Sequence, residues 1–139
     1  MNALHQYQSV NTQTSVVDVD RHQLIQLLFD GAVERINMAK SRIQADDFEG
    51  KNKLINRTIE IIAGLRGFLD LEKGAEISQN LSDLYTYCEQ RLLQANMRND
   101  IEALDEVASH IKTVREGWVG IREEALEKED AEQFDGKSS

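Results

Sequence analysis

Residues 54–69, LINRTIEIIAGLRGFL, place Leu54, Ile55, Ile59, Ile61, Ile62, Leu65, Phe68 and Leu69 over about half of a helix circumference when plotted at roughly 100° per residue. A helix packed on one side carries an apolar stripe only a little over ~100° wide. This segment is therefore either sunk between two neighbours or keeps an edge free for a partner, and the second possibility points toward function. Arg66 is the single charged side chain inside the arc, between Ile55 and Ile59 near one border. A partner groove is expected along that border.

Three further stretches are periodic on either side of it. Leu24, Ile25, Leu28, Ala32, Ile36, Ala39 and Ile43 step by threes and fours and hold one face toward a core, ending near Ala45. Ile77, Leu81, Leu84, Cys88, Leu92 and Ala95 form a third stripe that leaves Tyr85, Tyr87, Leu93 and Met97 off its axis and ends near Arg98. Leu104, Val107, Ile111, Val114, Trp118, Ile121 and Ala125 alternate strictly as a heptad does. Capping boxes predict three helix starts: Asp20 with Gln23, Asp46 with Glu49, and Asn99 with Glu102. Lys73-Gly74 suits a helix C-terminus and a tight turn. Short links near residues 46, 74 and 99 make neighbours antiparallel, which predicts an all-α, up-down-up-down four-helix bundle.

Composition agrees. The chain has 139 residues, no proline and one cysteine, which fits a single domain of uninterrupted helices without an internal disulfide. The predicted organisation is a leader or cap over residues 1–19, a bundle over 20–126, and a disordered acidic tail over 127–139, EKEDAEQFDGKSS, which has no apolar face to bury. Met1 to Val19 is polar, with no apolar run of signal-peptide or transmembrane length, so a cytoplasmic protein without membrane insertion is expected. A formal charge of −9, from 16 Lys plus Arg against 25 Asp plus Glu, argues against nucleic acid as a partner.

Catalytic and cofactor readings find little footing. A di-iron bundle needs Glu-x-x-His pairs, and the chain contains none. His5, His22 and His110 are scattered and read as surface or boundary residues. Gly50-Lys51 is followed by Asn52 where a phosphate loop needs Ser or Thr. Cys88 is in phase with Leu81, Leu84 and Leu92 and reads as a small buried hydrophobe, and Trp118 reads as core filling. No acid, base and nucleophile assemble, so no enzyme, cofactor or metal site is expected.

Binding remains, and several stretches occur together. They are Tyr7-Gln8, Leu24-Ile25-x-x-Leu28-Phe29-Asp30-Gly31-Ala32, Gly50-Lys51-Asn52-x-x-Ile55, Leu69-Asp70, Gly74-Ala75-Glu76-Ile77-x-x-Asn80-Leu81-x-x-Leu84-Tyr85-x-Tyr87, Leu92-x-x-Ala95-Asn96, and the neighbourhood of Trp118. With these the chain resembles the flagellin secretion chaperones, FliS, over about residues 7–120. It departs from that pattern where Arg21 follows Asp20 in place of a proline, and where Ala75 follows Gly74 in place of a second glycine.

The resemblance implies a cytosolic bundle that holds the disordered C-terminal segment of flagellin, prevents premature filament polymerisation and delivers the segment to the flagellar export apparatus. The export gate and other flagellar regulators are further partners it suggests. It places Tyr7, Lys51, Asn52, Ile55, Ile59, Ile62, Asn80, Tyr85 and Asn96 at the flagellin-binding surface. Bland readings stand beside these: Lys51 as a solvated charge, Asn52 as a first-turn polar residue, Ile55 as core, Asn96 as a helix-finishing residue. Tyr7 in a polar leader fits a displaceable cap over the client site. The alternative from another class is a self-associating scaffold or regulatory bundle that buries the wide arc in a homodimer.

Overall fold

The computed structural model describes residues 17–69 and 75–138, with side chains described for 21–69 and 76–120. It contains α1 (Val17–Gln44), α2 (Phe48–Gly67), α3 (Ala75–Arg98) and α4 (Ile101–Ser138). α1 packs on α2 and α4, and α3 packs on the same two helices, so the four close into a ring around one core. Contacts along the α1–α4 seam run in opposite directions: His22 meets Trp118, Asp30 pairs with Arg115, and Lys40 reaches Asp105 at 2.5 Å. α2 and α3 are likewise antiparallel, joined by Lys51 to Asn96 and by Arg66 to Glu89. This is the antiparallel four-helix bundle that the periodicity predicts.

Two links at one end of the bundle share a device that displaces the predicted caps by one residue. Asp46 (φ 56°) and Asn99 (φ 52°) take the left-handed conformation, which Asp and Asn tolerate better than most residues. Asp47 N then donates to Arg42 O at 2.9 Å and Asp100 N to Ala95 O at 3.1 Å, the long bond of a Schellman motif. With Asp46 and Asn99 occupied in closing helices, the next residue opens the following one. Asp47 Oδ1 accepts from Gly50 N at 3.0 Å and Asp100 Oδ1 from Ala103 N at 3.2 Å. The third predicted cap is also corrected, because α1 begins at Val17 and carries Asp20 inside its first turns. α2 ends at Gly67, before the predicted stop at Lys73-Gly74, and that turn lies outside the described residues. So does Tyr7.

α4 continues as helix through Ser138, across the stretch for which composition predicts a disordered tail. Glu, Ala, Lys and Gln there have high intrinsic helix propensity. Trp118 stands level with His22 and α1 starts at Val17, so the last part of α4 runs past the bundle with no helix among the described residues to pack on.

The core is built largely as patterned. Leu24, Ile25, Leu28, Phe29, Ala32, Ile36 and Ala39 are buried on α1, and Leu104, Val107 and Ile111 on α4. The surplus arc of α2 goes to the first of its two options. Ile55, Ile61, Ile62 and Leu65 are buried, with α1 on one flank and α3 on the other. The border where a free groove is expected is closed by Arg66, whose guanidinium lies 2.5 Å from Glu89 and 3.1 Å from the Thr86 hydroxyl. The stripe of α3 is rotated from its predicted axis: Tyr85 is buried, Leu81 and Leu84 are half-buried, and Ile77 is 71% exposed.

Tyr85 and Cys88 sit one turn apart on that buried face. Burial pushes the Tyr85 hydroxyl up to about 12 and the Cys88 thiol up to about 11. Each value lies above the ordinary 10.0 and 9.0, so the stability these neutral groups support is whole below pH 9 and is lost as pH rises through their folded values. Urea midpoints are expected to stay flat to about pH 9 and then fall, and Cys88→Ala is expected to delay the onset toward pH 10. An onset unmoved by Cys88→Ala would contradict the assignment to the thiol.

Candidate binding site

The described helices do not fill the interior completely where α1 starts and α2 ends. An apolar cavity of about 250 Å³ lies there. Ile25 and Phe29 of α1, Leu65, Phe68 and Leu69 at the end of α2, Ile77, Leu81 and Tyr85 of α3, and Val114, Gly117 and Trp118 of α4 line it. The gap has a local cause. Gly117 has no side chain to contribute, Ile77 projects from the first turns of α3 into solvent, and Val114 and Trp118 are only half-buried. No charged side chain lines the cavity, so it suits apolar groups and offers an ion nothing in exchange for its water.

The sequence-predicted site residues separate into two groups. Lys51 is 4% exposed, Tyr85 is 2% exposed, and Ile55 and Ile62 are fully buried. These four belong to the interior, because α2 and α3 each present their apolar face to the shared core, and of them Tyr85 also forms part of the cavity wall. Lys51 is not left as a free charge: its ammonium donates to Asn96 O at 2.7 Å and to Asn99 Oδ1 at 2.6 Å, beside the Phe48 ring. Burial pulls its pKa below the ordinary lysine range. Asn96 is engaged through this carbonyl in the last turn of α3. Asn52 and Asn80 are exposed and Ile59 is half-buried, so these three remain reachable.

Residues that the sequence patterning passes over are more exposed. Phe48, Leu93 and Met97 present apolar surface at one end of the α2–α3 seam, Met97 being 84% exposed. Leu93 and Met97 are one turn apart on α3, and the position of both off the core stripe is the signal that marks them. The cavity has no such signal, because the heptad keeps its spacing through Val114, Trp118 and Ile121 on both sides of Gly117. A second depression, about 520 Å³ and bounded by Asp30, Glu34, Asn37, Lys112, Arg115 and Glu116, mixes both signs of charge, with Asp30 and Arg115 paired across it. Among the described residues no group of three or more His, Cys, Asp or Glu is placed to hold a metal ion. None of the described helices is long and apolar enough to cross a membrane.

Comparison with known proteins bears on this arrangement directly. The chain matches the family described as flagellar protein FliS over residues 3–125. It is 43% identical over 121 residues to flagellar secretion chaperone FliSB of Pseudomonas aeruginosa, covering 87% of this chain and 96% of that one. It is 41% identical over 120 residues to flagellar secretion chaperone FliS of Salmonella typhimurium, covering 86% and 89%. The corresponding protein of Escherichia coli is 36% identical over 113 residues, covering 81% and 83%.

Proposed function

Because the chain belongs to the FliS family of flagellar secretion chaperones, we propose that it binds the disordered C-terminal segment of flagellin in the cytoplasm. Bound there, the segment is kept from premature filament assembly and is handed to the flagellar export apparatus. The observation that carries this reading is the uncharged cavity at the end of the bundle, with Ile77 exposed at it. A segment destined to pack as helix in a filament has apolar faces without partners in the monomer, and a cavity of this kind receives them as helix-in-groove anchors. Each fully buried Leu or Ile contributes roughly 1.5–3 kcal/mol before ordering costs. Ordering the client offsets part of that gain, so a complex that protects also releases. None of these steps requires a reacting group.

Asn80 near the start of α3, Ile59 along α2, and Asn52 with Leu93 and Met97 toward the other end of the α2–α3 seam supply the outer contacts in this reading. The motive for a homodimer weakens, since α1 and α3 cover the surplus arc of α2 within one chain. α1 starts at Val17, less than two turns before His22, at the end of the bundle that holds the cavity. In this reading Tyr7 caps the client site until flagellin displaces it. Tyr7→Ala is then expected to tighten flagellin binding several-fold, because a competitor for the same surface is removed. Unchanged affinity together with unchanged leader mobility would remove the cap. The reading as a whole is tested by calorimetric titration with flagellin, intact and lacking its C-terminal segment. One-to-one binding that vanishes on truncation is expected, and no heat with intact flagellin would overturn it.

A further inference from the structure

We propose that Trp118 is a specificity-determining contact of the end cavity and that His22 is the residue that positions it, an inference that rests on the client reading above. The two side chains are joined three ways. Their rings stack with centroids 4.3 Å apart and planes 11° from parallel. Trp118 Nε1 donates to His22 O at 3.1 Å, and His22 Nε2 lies 2.9 Å from Trp118 O. A carbonyl only accepts, so His22 carries its hydrogen on Nε2, which fixes the tautomer.

Holding α1 on α4 does not by itself demand this much, because Arg115, one turn from Trp118 on α4, already pairs with Asp30, two turns from His22 on α1. What the arrangement adds is control of the indole. Its N–H is spent on the His22 carbonyl and one face on the imidazole, and the side chain borders the cavity. The wall it gives the cavity is therefore flat, aromatic and without a free donor. A rigid aromatic with few torsions is the kind of contact that concentrates binding energy. The same wall discriminates: an aliphatic or aromatic anchor packs on it, while a hydrogen-bonding side chain leaves its water and gains no partner there. Without the imidazole behind it, the indole loses its stacking partner and the Trp118 carbonyl loses the Nε2 donor, so the ring is held by its N–H bond to the His22 backbone carbonyl alone.

Trp118 is the chain's one tryptophan, so its emission reports this wall alone. The test titrates the full chain with a tryptophan-free peptide of the flagellin C-terminal segment, following heat, Trp118 emission and acrylamide quenching together. Binding is expected to shift the emission to the blue and to lower the quenching. His22→Ala is expected to weaken binding by about tenfold, the combined loss of the stack and of the His22 Nε2 hydrogen bond to Trp118 O. His22→Phe, which keeps a ring against the indole, is expected to recover most of that loss. Heat of binding with unchanged emission and quenching overturns the proposal and leaves the client reading in place, as does His22→Ala binding as tightly as the original. No heat with the unaltered chain overturns both.

Discussion

Ile77→Asp is expected to weaken flagellin binding by about a hundredfold or more while leaving the bundle as stable as before. Ile77 is 71% exposed and lines the cavity, so it gives up little burial within the chain and has much to gain from a bound anchor. A carboxylate in its place removes that anchor contact and must shed water against an uncharged wall when a client arrives. The fold loses nothing comparable. Ile77 lies in the first turn of α3, where a negative charge is favourable toward the helix dipole, and an exposed substitution there shifts stability by no more than about 0.5 kcal/mol. Calorimetry for affinity and urea denaturation for stability separate the two. Leu93→Asp is the matched control on the α2–α3 seam. If Leu93→Asp abolished binding and Ile77→Asp did not, the principal site would lie on the seam instead of the cavity.

Lys51→Ala is expected to cost about 2–4 kcal/mol of stability, the largest loss foreseen for any charged residue in this chain. Lys51 as a residue is 4% exposed, and its ammonium donates to Asn96 O and Asn99 Oδ1. Removing it leaves two acceptors unpaired at the C-terminus of α3, where a cation also complements the helix dipole. Asn99 would keep its φ of 52° without the contact that holds its amide, and the turn into α4 would loosen. Lys51→Met keeps most of the stem and loses the charge with its two hydrogen bonds, so it is expected to recover only the part of the loss that comes from packing. Equal midpoints for Lys51→Met and Lys51→Ala would show that the stem contributes nothing. A midpoint unchanged in Lys51→Ala would show that the buried hydrogen bonds offset no more than the ammonium's own desolvation.

These two residues mark where patterning succeeds and where it stops. Ile77 falls in phase with Cys88, Leu92 and Ala95, so periodicity assigns it to the core. The helix is barely begun at Ile77, and the described residues leave a gap there. Phase gives the direction of a side chain, not whether a neighbour exists to meet it. Lys51 fails in the opposite sense. Its charge predicts solvent or a partner, yet a long stem lets the ammonium reach the end of α3, a contact between residues 45 positions apart. Tyr85 and the α2 arc show the same limit. A wide stripe is compatible with a free edge or with two neighbours, and only the placement of α3 selects the second.

The sequence by itself determined what depends on spacing along one chain. Steps of three and four set the helices, Asp and Asn clusters set the links to within a residue, the absence of proline let the helices run long, and motifs in family order set the relationship to FliS. The tertiary structure alone decided what depends on pairs far apart: which edge of α2 is covered, which polar residues are buried, and where the interior is left unfilled. The reason is physical. Helix formation is governed by hydrogen bonds four residues apart and by the direction of each side chain, whereas a cavity, a closed seam or a buried ammonium is a property of several helices at once. The candidate site of this protein is of that second kind, a shortfall in packing among α1, α2, α3 and α4 around Gly117, with a tryptophan held at its wall by a histidine 96 residues away.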